Sequence, residues 1–443
     1  EIDWIGDDLY ISELSFSDFK KNNVSTKKKK KIIVLVIDSM LAENISLIST
    51  NDAEISKTPN IDQYFKTGVY FKNSYSISEY TMPSLATMMT GLFPIEHGVF
   101  THDRQQRAMP VDIPTLSEIL KLNGYKTFGY STGLRYSPIY GHYRGFDRFF
   151  LHFPFTTNKT ADDQVNKLVE FLEVNQSSNC FGFLHILDTH PPFSLNTYFT
   201  DMKSKDFRWG DTRELYNNFK LHRDSNHLID ELKKVEKTRV LNLDFILSKL
   251  FSYIKFKKIM DETTIILLSD HGREYKKRKP LLQNNLTHIP FMISGQNLEL
   301  ECRTDLTEAP LDLYPTIMDI CKIDPPKHLS GKNLFKEKSS KKFSISESLF
   351  KTDGEFAVRT KDWFYSINCH FNYIDGIFDF NKIKGEWLFK RNKDGTENSK
   401  KNFCKLKPRL KNKFYNIARD HYKNRKRYFS NKEIIKETIN YPE

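Results

Sequence analysis

Three stretches of this chain are continuous apolar runs that stop abruptly at an acid, or at an acid with a histidine close by. Ile32-Ile33-Val34-Leu35-Val36-Ile37 hands over to Asp38, residues 181–187 to Asp188-Thr189-His190-Pro191-Pro192, and residues 263–269 to Asp270-His271-Gly272. A β-branched run without polar alternation is what a strand covered on both faces looks like, so each predicts a central strand of a parallel sheet. Helical patterns at 83–90, 113–123, 162–173 and 235–253 fall between and around them. Strands alternating with helices predict an α/β fold, a doubly wound, mostly parallel sheet flanked by helices. Ligands of such sheets bind beyond the carboxyl ends of the strands, where these acids and histidines stand.

A chain of 443 residues exceeds the roughly 250–300 at which a single core stops growing, so a second unit is expected. From residue 341 the texture changes to short aromatic alternations at 343–347, 356–360, 363–368 and 376–380, which read as a small antiparallel sheet. The division expected is a polar segment 1–31, a catalytic α/β domain 32–340, an antiparallel subdomain 341–400 and a basic tail 401–443 of helix plus coil. There is no internal repeat and no Gly-rich phosphate loop. A hydrophobic fraction of 39% excludes the disordered class.

The net charge of +12 gathers in tracts at 27–31, 276–279 and the tail. It implies attraction to anions and leaves open a phosphoester or sulfate ester, on a lipid or surface glycan, an anionic membrane surface touched peripherally by the tail, and, least expected, nucleic acid. Most of these lysines read as solvated faces. Five cysteines without a CxxC suggest neither a zinc knuckle nor a disulfide scaffold, and the odd number favours a reducing, cytoplasmic or membrane-peripheral setting. No apolar run reaches the roughly 18–20 residues needed to span a bilayer. The chain opens on Glu1 rather than methionine and so reads as a fragment or processed product.

Taken singly, the candidate site residues keep structural readings. Asp38 after a buried strand suits a helix cap or turn. Asp270-His271 offers two ligands suited to Zn²⁺ or Mn²⁺, with Gly272 permitting a sharp turn, yet a buried hydrogen-bonded turn would look the same. Thr81 stands just before Pro83, a natural first helical residue, so its hydroxyl would lie at a helix N-terminus that favours anions. The plainer reading is that Thr81 caps that helix.

Together they resemble a known family. Thr81-Met-Pro-Ser-Leu-Ala-Thr-Met-Met-Thr-Gly-Leu-Phe-Pro-Ile-Glu-His97-Gly-Val resembles the sulfatase signature, in which the nucleophile precedes x-Pro-Ser and a Thr-Gly and Pro-x-x-His-Gly follow. Asp38 matches that family's first metal ligand, Asp270-His271-Gly272 the later pair, and His190 the substrate-binding His-x-Pro. Gly145-Phe146-Asp147 resembles its Gly-Phe-Asp block, and 357–360 and 377–380 its carboxyl-terminal subdomain. The resemblance, to the alkaline phosphatase/sulfatase superfamily, covers about residues 32–400 in order. The departures are Thr81 and Leu85 in place of a formylglycine precursor and arginine, Ser39 in place of a second acid, and no Gly-Lys-x-His near 130–134. Threonine cannot become formylglycine. A threonine nucleophile and Thr287-His288-Ile289-Pro290 are similar instead to phosphoethanolamine transferases and lipoteichoic acid synthases.

The resemblance implies a metal-dependent phosphodiesterase or phosphotransferase working through a phospho-threonine on a lipid or glycan headgroup. One divalent cation, Zn²⁺ or Mn²⁺ ahead of Ca²⁺ or Mg²⁺, would be surrounded by Asp38, Asp270, His271 and Thr81. His190 and His288 would assist the leaving group, or join Asp188 at a second metal. Two further readings stand beside this one: a sulfuric ester hydrolase with an unmodified threonine, and an anion-binding module with a decayed site. His97 is expected to support the helix end, and Arg104, Arg135 and Arg273 to lie on the surface rather than clamp an anionic headgroup.

Overall fold

The computed structural model describes residues 2–5, 8–11, 29–49, 58–100, 108–152, 161–191, 209–222, 224–276, 278–296, 298–336, 341–350, 352–372 and 376–425. A two-stranded hairpin, β1 (Ile2–Ile5) with β2 (Asp8–Ile11), comes first. The large sheet is built from β3 (Lys31–Ile37), β4 (Gly68–Tyr75), β5 (Lys126–Thr132), β6 (Arg148–His152), β7 (Cys180–Ile186), β8 (Thr263–Leu268), β9 (Phe291–Ser294) and β10 (Glu301–Glu308). Their order is β10-β4-β9-β8-β3-β7-β5-β6, and β9 alone runs against its neighbours.

The three apolar runs of the sequence are the adjacent strands β8, β3 and β7, with β3 in the middle and every residue of all three buried. Each fully buried aliphatic side chain contributes about 1.5–3 kcal/mol, so the run Ile32 to Ile37 belongs nowhere but the centre. The period of two along a strand then divides the core into two layers. Ile32, Val34, Val36, Phe181, Phe183, Ile266 and Leu268 face α2 (Thr81–Thr90), α4 (Leu116–Leu122) and α9 (Ala309–Cys321). Ile33, Leu35, Ile37, Leu184, Ile186, Ile265 and Leu267 face α1 (Pro59–Phe65), α5 (Ala161–Val174) and α7 (Asn226–Phe256). The α-helices α3 (Pro94–His97), α6 (Trp209–Leu221) and α8 (Asn284–Thr287) are the others described in this part of the chain.

The aromatic alternations form a second, antiparallel sheet in the order β11 (Ser344–Phe350), β12 (Asp353–Arg359), β13 (Trp363–Asn372), β14 (Ile377–Arg391), β15 (Glu397–Asn398). The basic tail is not all solvated. Its helix α10 (Pro408–Arg425) lays Phe414, Ala418 and Tyr422 on this sheet, in one cluster with Phe93 and Ile95 at α3. Residues 426–443 lie outside the described residues. All five cysteines are free thiols.

Candidate metal and catalytic centre

The register of the three central strands sets the site. Val36 pairs with His185 on one side and with Leu268 on the other. Two residues further along β3 and β8, on the same face of the sheet, come Asp38 and Asp270, so two carboxylates and the His185 imidazole converge beneath the start of α2. Ligand atoms of Asp38, His185 and Asp270 lie within 4.8 Å of one another.

Ser39 fixes the two carboxylates. In a left-handed conformation with φ 59°, it donates its hydroxyl to Asp38 Oδ1 at 2.6 Å and its N–H to Asp270 Oδ1 at 2.9 Å. The N–H of His271 also donates to Asp270 Oδ1, at 2.8 Å. Asp270 Oδ2, completely buried, receives no hydrogen bond from the described residues. It faces His271 Nε2 at 3.4 Å. Gly272 next in line is required by close approach: a Cβ there would meet the carbonyl oxygen of Asn285 at 2.3 Å.

Thr81 enters from α2. It is the first residue of the helix rather than its cap, because Tyr80 takes the extended cap conformation with φ −126°. The Thr81 hydroxyl is therefore free to face the sheet, with Oγ1 3.4 Å from Asp38 Oδ2 and 3.2 Å from His271 Nε2. Ser84, in the Pro-Ser pair, bonds Ser76 Oγ at 3.0 Å, and that hydroxyl in turn donates to the backbone carbonyl of Asp270. The helix ends at Gly91, whose φ of 68° is the left-handed conformation glycine tolerates.

The electrostatics suit a cation. Burial works against charge on Asp38, yet His190, His185 and His271 outweigh it and hold the carboxyl well below the usual range. His271 is pushed the other way: burial would discharge it, but Asp270 and Asp38 hold its proton above the ordinary imidazole value. A spot negative enough to retain a proton on a buried imidazole is one where a divalent cation can stand in its place. Asp270 Oδ2, without a hydrogen bond, supplies an unused lone pair to receive it, and the mixed oxygen and imidazole donors suit a borderline cation.

The remaining expected residues divide. His190 stays partly exposed, and its imidazole interacts with Asp38, His271, Asp270 and Arg273. Its loop is pinned by Thr189, whose hydroxyl donates to the Asp38 carbonyl at 2.6 Å and whose own carbonyl accepts from Arg273. Asp188 and His288 have other partners. Asp188 pairs with buried Arg239 at 2.8 Å and accepts from the Ala161 N–H at 2.9 Å, while His288 Nε2 lies 2.8 Å from the Lys72 carbonyl. His97 accepts the Val99 N–H at Nδ1, so Nε2 carries the hydrogen toward Thr87 Oγ1 at 3.1 Å, which supports α2 from its far end.

Arg273 is a correction. Expected on the surface, it is 8% exposed because Glu236 of α7 supplies a buried counter-ion at 3.2 Å. Arg135 is half-buried, and its guanidinium feels the charge of Asp38 as well as the Tyr140 and Tyr80 phenols. Arg104 lies outside the described residues. Sequence reasoning missed His185. Its signal was the odd position it shares with Phe181 and Phe183, which becomes informative only once the register puts it beside Val36.

The sulfatase family model matches residues 30–323, about two thirds of the chain. The chain belongs to the sulfatase family. This sulfatase-family chain is 22% identical over 356 residues to the ulvan-active sulfatase of Formosa agariphila, covering 70% of the present chain and 56% of that protein. It thus spans little more than half the length of that relative. Its fold is shared with a 2-O GAG sulfatase at TM-score 0.68 and 17% identity, over 90% of this chain and 93% of that one. It is shared equally with a phosphonate monoester hydrolase of Silicibacter pomeroyi, at TM-score 0.68 and 16% identity over 90% and 96% of the two chains. The fold is shared too with a protein of the alkaline phosphatase superfamily from Vibrio parahaemolyticus, at TM-score 0.59 and 17% identity over 90% and 89% of the two chains.

Proposed function

We propose that this sulfatase-family hydrolase cleaves a sulfuric ester of an anionic glycan with Thr81, unmodified, as the nucleophile. The observation that carries the reading is the Thr81 hydroxyl, at the family's nucleophile position, 3.4 Å from Asp38 Oδ2 and 3.2 Å from His271 Nε2. Asp38, Asp270, His271 and Thr81 would hold a divalent cation, Zn²⁺ or Mn²⁺ by donor type. When bound, the cation acidifies the hydroxyl and offsets the charge of the ester oxygens.

The chain's own groups account for the rest. Thr81 Oγ attacks sulfur in line as its proton leaves, the bond from sulfur to the leaving oxygen breaks, and that oxygen receives the Thr81 proton relayed through His190, the partly exposed imidazole of the site, which burial favours in its neutral form. Arg135 faces the remaining sulfonyl oxygens. Water then attacks sulfur, releasing sulfate and restoring the Thr81 hydroxyl. The relatives named above support the sulfate ester and the glycan.

A second reading, a phosphoester hydrolase or transferase passing through phospho-threonine, is favoured by one feature. Thr81 cannot form the aldehyde hydrate that expels sulfate without attack at sulfur, whereas direct attack of water on a phosphothreonine is ordinary phosphoryl chemistry. Turnover of p-nitrophenyl sulfate, p-nitrophenyl phosphate, bis-p-nitrophenyl phosphate and a p-nitrophenyl phosphonate with added Mn²⁺ or Zn²⁺ separates the two. Sulfate cleavage at least tenfold above the other esters supports the first; cleavage of the phosphorus esters alone replaces it with the second.

A further inference from the structure

Behind the carboxylates, in the layer that carries α2, three buried rings are packed together. The Tyr136 ring is centred 4.5 Å from that of His142 and 5.8 Å from that of His185. Tyr136 is 0% exposed and the two histidines 1% each. Among the described residues none pairs their polar atoms by hydrogen bonding: Tyr136 Oη, both ring nitrogens of His142 and both of His185 are without such a partner. His185 Nε2 does lie 3.2 Å from Asp38 Oδ2, close enough for both to reach one cation.

Five dry polar atoms in one cluster would consume a large share of a domain's stability. Buried polar groups in this position are met by an ion or by ordered water making two to four hydrogen bonds. His185 adjoins both kinds of partner. Its Nε2 faces Asp38 in the cluster with Asp270, and the rings of Tyr136 and His142 pack next to it. An imidazole that gives one lone pair to a metal carries its hydrogen on the opposite nitrogen and needs an acceptor there. Burial, with His185 and His97 nearby, holds the His142 pKa down at about 3, so its ring stays neutral and can accept.

We propose that His185 is a further ligand of the bound cation through Nε2, and that Tyr136 and His142 are its positioning residues, holding Nδ1–H through a buried water. The inference rests on the cation centre proposed above. Ser131, which pairs with His185 across β5 and β7, and Ser137, next to Tyr136, also carry buried hydroxyls without a hydrogen bond among the described residues.

The test is calorimetric titration of Mn²⁺ into the metal-stripped full chain, with the wild type, Tyr136→Phe, His142→Phe and His185→Phe compared. Outer-shell losses cost about 10–100-fold in metal affinity, so Tyr136→Phe and His142→Phe should each weaken binding about tenfold, and His185→Phe more. Nitrogen-15 NMR of the Zn²⁺-loaded chain gives a second readout, with His185 expected as the Nδ1–H tautomer. If His142→Phe fails to fold by circular dichroism, Tyr136→Phe, which removes one oxygen, still decides. A wild type that binds no stoichiometric cation sinks the centre itself. A wild type that binds, with Tyr136→Phe within twofold of it or His185 as the Nε2–H tautomer, overturns this inference alone.

Discussion

His271 Nε2 stands 3.2 Å from Thr81 Oγ1, across 190 residues of sequence. The contact joins the start of a helix to the end of a central strand, and it places a hydroxyl where two buried carboxylates set the field. Thr81→Ala removes that hydroxyl while leaving the ligands on β3 and β8. Turnover should fall by at least about 10³-fold, the scale of losing a nucleophile, while the melting temperature stays within a few degrees of wild type. Thr81→Ser should keep measurable activity, since it retains the oxygen. Initial rates on the best p-nitrophenyl ester check both, and wild-type turnover by Thr81→Ala refutes the nucleophile.

Asp270 is the proposed ligand whose Oδ2 accepts no hydrogen bond from the described residues. Asp270→Asn keeps the shape and the Oδ1 bonds from Ser39 and His271 but removes the negative charge. Elemental analysis after dialysis against Mn²⁺ or Zn²⁺ should show metal well below one per chain, against one for the wild type. Equal stoichiometry would remove Asp270 from the ligand set.

Asp188 was one of the groups considered for a second metal, and its contacts predict a different behaviour. Both of its oxygens are engaged, one by Arg239 at 2.8 Å and one by the Ala161 N–H at 2.9 Å. Breaking a buried pair by removing one partner costs about 3–5 kcal/mol. Arg239→Met should therefore lower stability in urea by roughly that amount and leave metal stoichiometry at the wild-type value. A stable Arg239→Met chain that has lost metal would return Asp188 to the centre.

His97 gives a pH dependence with a definite sign. Burial holds its pKa down at about 3, against hydrogen bonds that pull it up. An imidazole neutral when folded contributes stability that is complete above its unfolded value near 6.5 and is lost as pH falls below it. Between pH 6.5 and 4.5 the loss should be on the order of 2 kcal/mol. His97→Gln should be less stable at pH 7, having lost the bond at Thr87, but should show a shallower decline toward acid. Urea titrations at pH 4.5, 5.5, 6.5 and 7.5 measure the difference in slope, and parallel declines would mean that His97 is not the titrating group.

The sequence carried the parts of the site that lie at the ends of uninterrupted apolar runs. Asp38 and Asp270-His271 were legible because a strand buried on both faces admits almost no polar residue, so the first one after it marks the sheet's edge. Thr81 was legible because Pro83 fixes where a helix starts, although the cap fell one residue earlier, at Tyr80. Other residues were hidden for specific reasons. His185 sits inside an apolar run and needs the pairing with Val36 to acquire a meaning. Arg273 looked like one more surface cation because its counter-ion, Glu236, comes from the middle of α7, at no readable spacing. The reach of α7 back to Asn226 was hidden too, since the charged Glu236 and Arg239 stand on the buried face that Ile229, Leu232 and Val235 begin.

Arg135 separates binding of the ester from binding of the cation. It is half-buried, it lies near Tyr80 at the start of the nucleophile helix, and its charge acts on Asp38. A cation so placed attracts an anionic ester and repels a metal ion, so its removal should move the two affinities in opposite directions. Arg135→Ala should raise KM about tenfold, or about 1.4 kcal/mol, with a smaller change in kcat, because a charge felt equally by ground and transition states acts on binding. Mn²⁺ affinity, measured by the same titration as for the other variants, should be unchanged or slightly tighter. Arg135→Lys keeps the charge but not the planar fork and should recover part of the loss in KM. A variant that loses Mn²⁺ affinity along with substrate would mean that Arg135 holds the centre together and does not face the ester.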